Sequence, residues 1–272
     1  GSLRCGAKDC GNLYARCRCG VVLNRVFVGC AGWSIGREYW PRFASEGTHL
    51  QRYAGRFSAT EINSSFYRPH RAQTYQRWAD SVGPDFRFSV KLPKSITHER
   101  RLQSCEDELD RFFAHCTQLG DRLGCVLVQL PPGLMYEPQI ARAFFREVRL
   151  RYKGSLVLEP RNDSWLAADE LLQTLHIGRV AADPAVLSAG FQPGGWPGVQ
   201  YWRLHGSPRI YHSEYGVARL RALSEQVLMG VAPTTEYWFI FDNTASGFAI
   251  NDALTFQALM GNAGNPSSNN VP

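Results

Sequence analysis

Short apolar segments recur along this chain at regular intervals, and this recurrence constrains the fold more than any other feature. Each segment is too short for a helix, and most lack a polar face, which is typical of parallel strands that are covered on both sides. The eight segments are Val26–Cys30, Phe57–Asn63, Phe86–Leu92, Cys125–Leu130, Ser155–Glu159, Arg179–Asp183, Gln200–His205 and Tyr237–Asp242.

Helical patterns lie between these segments. They cover Thr48–Arg56, Arg71–Val82, Ser104–Gly120, Pro138–Tyr152, Ala167–Leu175, Ser213–Met229 and Asn251–Met260. The connection after Asp183 is the exception, because it is short and rich in Gly and Pro. Eight strands that alternate with helices predict an α/β fold, a single-domain TIM-type (β/α)8 barrel over residues 26–260 with a degenerate sixth connection.

A doubly wound open sheet is the rival fold, and it is typical of proteins that bind nucleotide cofactors. Its fingerprint, G-x-G-x-x-G, follows the first strand. The corresponding stretch here is GCAGWSIG at residues 29–36, which does not match. The sequence therefore favours the barrel and predicts no nucleotide cofactor.

The two ends of the chain differ from its body. Residues 1–25 hold five cationic side chains against Asp9, which is +4 of the chain's net charge of +6. The body is therefore near neutral, and it predicts no large basic surface for nucleic acid. The first segment also holds a C-x4-C-x6-C-x-C pattern formed by Cys5, Cys10, Cys17 and Cys19.

Four thiolates suffice for zinc, but this pattern lacks the paired C-x2-C knuckles of common zinc sites. We therefore expect residues 1–25 to be a weakly ordered tail, and residues 261–272 to be a disordered polar tail. No apolar run reaches membrane-spanning length, and no signal peptide is recognisable. These features predict a soluble, cytoplasmic protein with no membrane partner.

Nearly every predicted strand ends in a polar or charged side chain. Active sites of TIM barrels lie at the carboxyl ends of the strands, so these side chains predict a pocket there. The candidate catalytic residues are Glu61, Lys91, Glu159, His205 and Asp242. The candidate substrate-binding residues are Asn63, Tyr67, His98, Gln129, Arg161, Trp165, Asp183, Arg203, Tyr211 and Asn243.

Burying this many charges without partners would cost several kcal/mol each, so the side chains must pair, bind water or meet a ligand. A satisfied ion-pair network that fills the top of the barrel is the structural alternative to a substrate site. For Arg203 we expect a carboxylate partner from another strand, either Glu159 or Asp242.

Seven motifs of this chain together resemble the YecE-like family, also known as domain of unknown function 72. They are GCAGW at 29–33, EINSSFYRP at 61–69, FRFSVKLPKSITH at 86–98, LVQLPP at 127–132, LEPRNDSW at 158–165, YWRLHGSPRIYHSEY at 201–215 and FIFDNTASGFAINDAL at 239–254. The resemblance spans about residues 26–260. It implies a TIM-type barrel and no settled biochemical activity.

The favoured chemistry is hydrolysis of an anionic substrate of the phosphoester type, with or without a divalent metal. Carboxylates and an imidazole at the strand ends are suitable metal ligands, and Lys91, Arg161 and Arg203 suit phosphate oxygens. No H-x-H or H-E-x-x-H motif fixes a metal, so the metal stays open. The oligomeric state is not predicted.

Three alternatives stay open beside this hydrolase. The first is metal-free acid–base chemistry on a sugar-like substrate, with Glu61 and Glu159 as the pair. The second is a Schiff base at Lys91, which neighbouring carboxylates would oppose by holding the ammonium charged. The third is a non-catalytic module that binds nucleic acid or a small anion.

Overall fold

One sheet of ten strands, curved into a nearly closed barrel, accounts for all strands in residues 25–262, the range that the computed structural model describes. The strands are β1 (Val26–Ala31), β2 (Ala59–Ile62), β3 (Arg87–Lys91), β4 (Leu123–Gln129), β5 (Ser155–Glu159), β6 (Ile177–Arg179), β7 (Ala181–Asp183), β8 (Gly194–Gly195), β9 (Val199–Leu204) and β10 (Glu236–Phe241). The α-helices are α1 (His49–Ala54), α2 (Ala72–Asp80), α3 (Glu106–Cys116), α4 (Pro138–Arg151), α5 (Asp169–Thr174), α6 (Gly216–Met229) and α7 (Phe248–Asn262).

The predicted tails fall almost wholly beyond these bounds. Residues 1–24, with the four-cysteine pattern, and residues 263–272 lie outside the described range. Helix α7 continues to Asn262, two residues past the predicted end of the barrel domain at residue 260.

The two sides of the nearly closed barrel meet within the sixth predicted strand, which the structure divides in two. The sheet order is β7-β9-β10-β1-β2-β3-β4-β5-β6-β8, with all neighbours parallel except β6 and β8. Strand β6 pairs with β5, and β7 pairs with β9. Only Val180 separates β6 from β7, so the two sides of the sheet meet at this residue.

The prediction of eight strands therefore differs from the ten that the structure has in the described range. The segment Arg179–Asp183, predicted as one strand, is divided because its first half bonds to one neighbour and its second half to the other. The additional strand β8 is only two residues long and runs antiparallel to β6. No helix lies between β7 and β9, which agrees with the predicted degenerate connection.

Local sequence signals explain several helix boundaries. Thr48 caps α1, because its hydroxyl accepts the backbone N–H of Gln51 while the Gln51 side chain accepts the N–H of Thr48. Pro138 begins α4, where its missing N–H costs nothing. Helix α3 begins at Glu106, two residues later than predicted, because Ser104 has a left-handed φ of 50°.

Apolar side chains pack in two layers, one inside the barrel and one between the strands and the helices. Cys125 and Leu127 belong to the inner layer, whereas Val126 and Val128 pack in the outer layer. This alternation along β4 is what a strand covered on both faces requires. Inside the barrel, the rings of Tyr201 and Trp238 are stacked at a centroid distance of 5.8 Å.

Four cysteines of the described range are buried free thiols, as the apolar patterns around them predict: Cys30, Cys105, Cys116 and Cys125. Burial raises the pKa of each thiol, in Cys105 to about 11. Reactive cysteines have a lowered pKa, so these thiols are suited to packing. No helix within residues 25–262 is both long and apolar enough to cross a membrane.

Gly29 is a position where the barrel admits no side chain. A Cβ atom there would lie 1.8 Å from the backbone oxygen of Ala59 on the adjacent strand. We expect Gly29→Ala to lower the free energy of unfolding by about 3 kcal/mol or more, because a strand backbone cannot move aside cheaply. Urea denaturation followed by circular dichroism measures the change.

Gly133→Ala is the matched control, since a Cβ there meets nothing within 4 Å. We expect it to change stability by less than about 0.5 kcal/mol. Equal stabilities of the two variants would contradict the close approach of β1 and β2.

Candidate functional site

A buried guanidinium at the carboxyl end of β9 organises the mouth of the barrel, the end at which the parallel strands finish. Arg203 is 1% exposed. Its Nε and Nη2 donate to Glu61 Oε2 and Oε1 at 3.0 and 2.7 Å, and its Nη1 donates to Glu159 Oε2 at 2.7 Å. Nη2 also donates to Asp242 Oδ2 at 3.1 Å. The partners expected for Arg203 are thus both present, and Glu61 is a third.

The strand register brings these side chains together. Glu61 is the penultimate residue of β2, Glu159 is the last residue of β5, and Asp242 directly follows β10. Parallel strands end at the same edge of a sheet, and inward positions recur every second residue. Arg203 therefore meets carboxylates from three strands at one level of the barrel. We call this group, with His205 and Arg161, the Arg203 cluster.

His205 lies between two carboxylates of this cluster. Its Nδ1 is 3.0 Å from Asp242 Oδ2, and its Nε2 is 3.3 Å from Glu159 Oε1. Ionised carboxylates only accept hydrogen bonds, so these two contacts favour a proton on both ring nitrogens. Arg161 Nη2 also lies 3.5 Å from Nε2. Burial and Arg203 lower the pKa of His205, but the hydrogen bonds to Asp242 and Glu159 outweigh them and raise it. The site therefore favours the imidazolium form of the ring.

The carboxylates that hold His205 stay ionised. Burial alone would raise the pKa of Glu159, but Arg203, Arg161 and His205 hold it well below its ordinary value. The pKa of Asp242 is lowered in the same way, mainly by Arg203 and His205 against the effect of burial. Arg161 Nη2 donates to Glu159 Oε1 at 2.7 Å, the oxygen that His205 also contacts.

Tyr201 and Ser89 support Glu61 from inside the barrel, and neither is among the predicted site residues. The Tyr201 hydroxyl lies 2.9 Å from Glu61 Oε2 and 2.9 Å from Ser89 Oγ. A signal for both exists in the sequence, because Tyr201 shares the strand face of Arg203, and Ser89 shares that of Lys91.

Lys91 has a different environment from the other cations. It is 5% exposed, and its Nζ lies 4.1 Å from the centroid of the Phe66 ring. No hydrogen bond or ion pair joins this ammonium to any residue of the described range. Burial and then Arg203 lower the pKa of Lys91 to about 8, against the opposing effect of the carboxylates.

His98 completes a second group with Lys91 and Phe66, which we call the Lys91 cluster. His98 lies in a π-helix, Ser95–Glu99, a rare element that often marks functional sites. Its ring meets Phe66 edge-on at 4.9 Å, and its Nδ1 is 2.8 Å from the Thr97 hydroxyl. Burial, Lys91 and Arg161 lower the pKa of His98, so this ring is a neutral imidazole at pH 7.

Two exposed tyrosines border these clusters. The Tyr211 ring meets His205 edge-on at 5.7 Å, and the Tyr67 ring meets Phe66 edge-on at 5.0 Å. Both were predicted as substrate-binding residues, whereas Phe66 was not. Phe66 follows β2 in the motif EINSSFYRP, and nothing in its spacing distinguishes it from a core residue.

Two predicted amides lie at strand ends near the carboxylates: Gln129 is the last residue of β4, and Asn63 follows β2. Gln129 is opposite Glu159 in the register of β4 and β5, and its Nε2 donates to the backbone oxygen of Leu130 at 3.0 Å. The buried Oδ1 of Asn63 has no hydrogen-bond partner in the described part of the chain.

Three predicted substrate-binding side chains bond to other parts of the structure, namely a loop, α6 and α7. Trp165 is buried and donates its Nε1–H to the backbone oxygen of Leu134 at 2.9 Å. Asp183 forms an ion pair with Arg219 at 2.6 Å. Asn243 donates to Asp252 and to the backbone oxygen of Ser213 at 2.7 and 2.9 Å. The structure does not bring these three side chains into contact with either cluster.

The carboxylates at the mouth are already engaged with cations. Within residues 25–262, no group of three or more His, Cys, Asp or Glu side chains is arranged to hold a metal ion. The oxygens that the sequence offered as ligands, those of Glu61, Glu159 and Asp242, instead bond to Arg203. The arrangement can bind an anion and donate a proton.

Comparisons with known proteins agree with the resemblance seen in the motifs. A family model described as "Protein of unknown function DUF72" matches residues 27–272. The chain is 29% identical over 154 residues to the UPF0759 protein YecE of Escherichia coli K12, and equally to that of strain O157:H7. The match covers 56% of this chain and 54% of the relative, so the chain spans about half the length of the curated relatives it matches.

Solved structures of two proteins share the fold. A DUF72 family protein from Enterococcus faecalis superposes with a TM-score of 0.72 at 22% identity, covering 86% of this chain and 95% of that chain. One from Thermotoga maritima gives a TM-score of 0.72 at 23% identity, covering 87% and 99%. At these identities the likeness shows the fold alone.

Removing the guanidinium of Arg203 should lower the free energy of unfolding. Arg203→Met leaves three buried carboxylates without their shared partner, so we expect a loss of about 3–5 kcal/mol in the free energy of unfolding. Arg100→Met is the control, because it breaks an ion pair with Glu108 in which the arginine is 46% exposed. We expect that variant to lose less than about 1 kcal/mol. Urea denaturation at pH 7 measures both, and similar losses would contradict the central role of Arg203.

His205 should give the stability a defined pH dependence. A pKa raised in the folded state gives a contribution that is complete below the ordinary value of 6.5 and is lost as the pH rises through the folded pKa. We expect the wild type to exceed His205→Gln by about 2 kcal/mol near pH 5.5, and by less at pH 9. Urea denaturation across this range measures the difference, and a difference that grows with pH would contradict the imidazolium.

Proposed function

This chain belongs to the DUF72 family of proteins of unknown function, and from the chemistry of its barrel mouth we propose that it is a hydrolase for a small anion of the phosphoester type. The observation that carries the proposal is the position of the His205 ring, whose nitrogens lie 3.0 and 3.3 Å from the carboxylate oxygens of Asp242 and Glu159. These contacts raise the pKa of His205 and favour its imidazolium form. An imidazolium fixed in this way at the end of a barrel strand is a general acid for a leaving group.

The balance of charge in the mouth favours an anionic substrate. The three carboxylates of the Arg203 cluster, Glu61, Glu159 and Asp242, are matched by three cations, Arg203, Arg161 and His205. Lys91, when protonated, adds one positive charge that no carboxylate of the described range contacts. A phosphate or carboxylate group beside Lys91 would balance this charge.

The proposed step is direct displacement by water. The oxygen of a water molecule attacks phosphorus, the bond to the leaving oxygen breaks, and that oxygen takes the Nε2 proton of His205, whose contact with Glu159 is the longer of the two at 3.3 Å. One proton of the attacking water stays on the phosphate, and the other returns to the His205 ring. Glu159 and Asp242 keep the ring protonated and oriented, and Glu61 fixes Arg203. Lys91 and Arg161 stabilise the negative charge that develops on the phosphoryl oxygens.

The remaining predicted residues enter this proposal as substrate contacts. Tyr67 and Tyr211 are exposed beside the two clusters, and they would flank the organic part of the substrate. His98, Gln129 and Asn63 offer hydrogen bonds near the anion. We assign no substrate contact to Trp165, Asp183 or Asn243, since they bond to the Leu134 loop, to Arg219 on α6 and to Asp252 on α7.

A sugar-directed acid–base pair is less well supported. Such a pair needs two carboxyl groups facing a sugar, with a water or the nucleophile between them. Glu61 and Glu159 instead bond to the same guanidinium at 2.7 Å each. The same bonds weigh against these carboxylates as ligands of a divalent metal, which would have to displace Arg203.

We also infer that the barrel is of the TIM type, (β/α)8. Strands β6 and β7 then form the two halves of one strand across Val180, and β8 is an addition outside the eight. The parallel pairing of β5 with β6 and of β7 with β9 supports this reading.

Hydrolysis is tested with two chromogenic esters, p-nitrophenyl phosphate and bis(p-nitrophenyl) phosphate, at pH 5–9. For whichever ester is turned over, we expect His205→Gln to lower kcat by a factor of about 10² or more, because the leaving group loses its proton donor. His212→Gln is the control from the same loop. Within residues 25–262 the His212 side chain has one hydrogen bond, between its Nδ1 and Ser246 Oγ at 3.0 Å. That variant should keep wild-type turnover.

Parallel assays with and without EDTA decide whether a divalent metal takes part. Turnover that is lost in EDTA identifies the metal-assisted reaction, and turnover that persists identifies the metal-free one. Absence of turnover of both esters, or full activity of His205→Gln, would overturn the proposed hydrolase.

A further inference from the structure

Lysine is rare in this chain, and one of its few lysines occupies the barrel mouth. Of 30 cationic residues only four are lysines: Lys8, Lys91, Lys94 and Lys153. Arginine stays protonated at any physiological pH, whereas a buried lysine can release its proton. The chain thus has lysine at the one mouth position where a cation lacks a carboxylate partner in the described residues.

The surroundings of Lys91 suit a neutral amine. The side chain is almost fully buried, and burial disfavours the charged ammonium. The Phe66 ring, 4.1 Å from Nζ, gives the ammonium only the weaker support of a cation–π contact. The carboxylates nearest to it, Glu61 and Glu159, direct their oxygens to Arg203 at 2.7 Å. The expectation that these carboxylates would hold the ammonium charged is therefore weakened, because their hydrogen-bonding capacity is used elsewhere.

Charge balance leads to the same conclusion. When Lys91 is neutral, the Arg203 cluster holds three carboxylates against three cations, and no charge in the mouth is unmatched. Releasing the proton of Lys91 therefore costs little in this site. Burial lowers the pKa of Lys91 to about 8, which is consistent with this geometry.

We propose that Lys91 is a nucleophilic amine that forms an imine with a small carbonyl compound carrying an anionic group. The Nζ lone pair attacks the carbonyl carbon, and a carbinolamine forms. Loss of one water molecule leaves a C=N bond, and uptake of a proton gives the iminium. The iminium restores one positive charge to the mouth, and the substrate's own anion balances it.

This activity goes beyond the proposed hydrolysis and does not depend on it. Hydrolysis uses His205 as a proton donor, whereas imine formation uses the lone pair of Lys91. In hydrolysis the anionic ligand balances protonated Lys91, whereas in imine formation it balances the iminium that replaces the neutral amine. A test without any phosphoester therefore keeps the two proposals separate.

Reductive trapping tests the proposal on the intact protein. The protein is incubated with glyoxylate or with glycolaldehyde, its neutral counterpart, in the presence of sodium cyanoborohydride. Intact mass and peptide mapping then locate the secondary amine that forms. With only four lysines and the N-terminal amine, every site of reaction can be assigned.

At pH 7.5 we expect glyoxylate to modify Lys91 at least about tenfold faster than Lys94 or Lys153, because a lowered pKa leaves more neutral amine. Lys94 is an exposed lysine from the same loop, paired with Glu99 at 3.3 Å, and Lys153 bonds to the backbone oxygen of Arg149. Lys94→Met should leave modification at Lys91 unchanged, and Lys91→Met should abolish it while the protein keeps its circular dichroism spectrum.

The pH profile provides an independent readout. Modification of Lys91 should rise between pH 7 and 9 and then level off. Arg203 stays protonated and His98 stays neutral across this interval, so the rise reports the amine itself. The charged and titratable groups whose fields act on Lys91 are Glu61, Glu159, Asp242, Arg203 and His98.

Two results would overturn the proposal. Equal modification of Lys91, Lys94 and Lys153 would show only ordinary surface reactivity. Equal rates with glyoxylate and glycolaldehyde at Lys91 would show that the reaction does not require an anionic group on the substrate. Any misfolding of Lys91→Met leaves the test intact, because the comparison among the lysines is made within the wild-type protein.

Discussion

The bonds from Arg203 to three carboxylates are the constraint on which the mouth of this barrel depends. The guanidinium is buried, so the carboxylates cannot exchange it for water without a large cost. Glu61, Glu159 and Asp242 come from different strands, and each reaches Arg203 only in one register. A slip of one residue in β9 would turn Arg203 away from the interior. The ion pairs therefore specify the alignment of strands as well as a charge distribution.

That distribution separates two kinds of cation. Arg161 and His205 are tied to Glu159, which fixes their protonation and their direction. Lys91 is buried against the Phe66 ring, and its ammonium has no hydrogen bond or ion pair with any other residue that the structure describes. The first kind can orient a ligand and donate a proton. The second can gain or lose its own proton, so the site can hold either an ammonium or a neutral amine at this position. An arginine there would always be charged.

Much of the fold could be predicted from the sequence, because strand periodicity and polar strand ends are local signals. The inward face of β9 and the pairing of Arg203 with Glu159 follow from counting residues along strands. The division at Val180 could not be predicted in this way, because it depends on which neighbours the two halves meet. The pattern of apolar residues there is the same for one strand or two.

The sequence predicts the position of the site at the strand ends, but it does not predict every side chain that contacts it. Trp165 follows a strand end as a stacking residue would, yet its N–H bonds to Leu134 from another loop. The support of Lys91 by Phe66 likewise depends on the path of the segment after β2. Both contacts arise between distant parts of the chain, and a single sequence carries no signal for the path of a loop in space.

The break at Val180 gives the barrel a seam. A closed barrel has no free strand edges, but here closure depends on two short ladders, β5 with β6 and β7 with β9. Strand β9 carries Arg203, so the edge at which β9 pairs with β7 also borders the site. Transient parting of this seam would expose unpaired backbone groups and admit water to the ion pairs at once. The seam thus runs beside the buried charges of Arg203 and its carboxylates, so local opening there would disrupt the barrel and the site together.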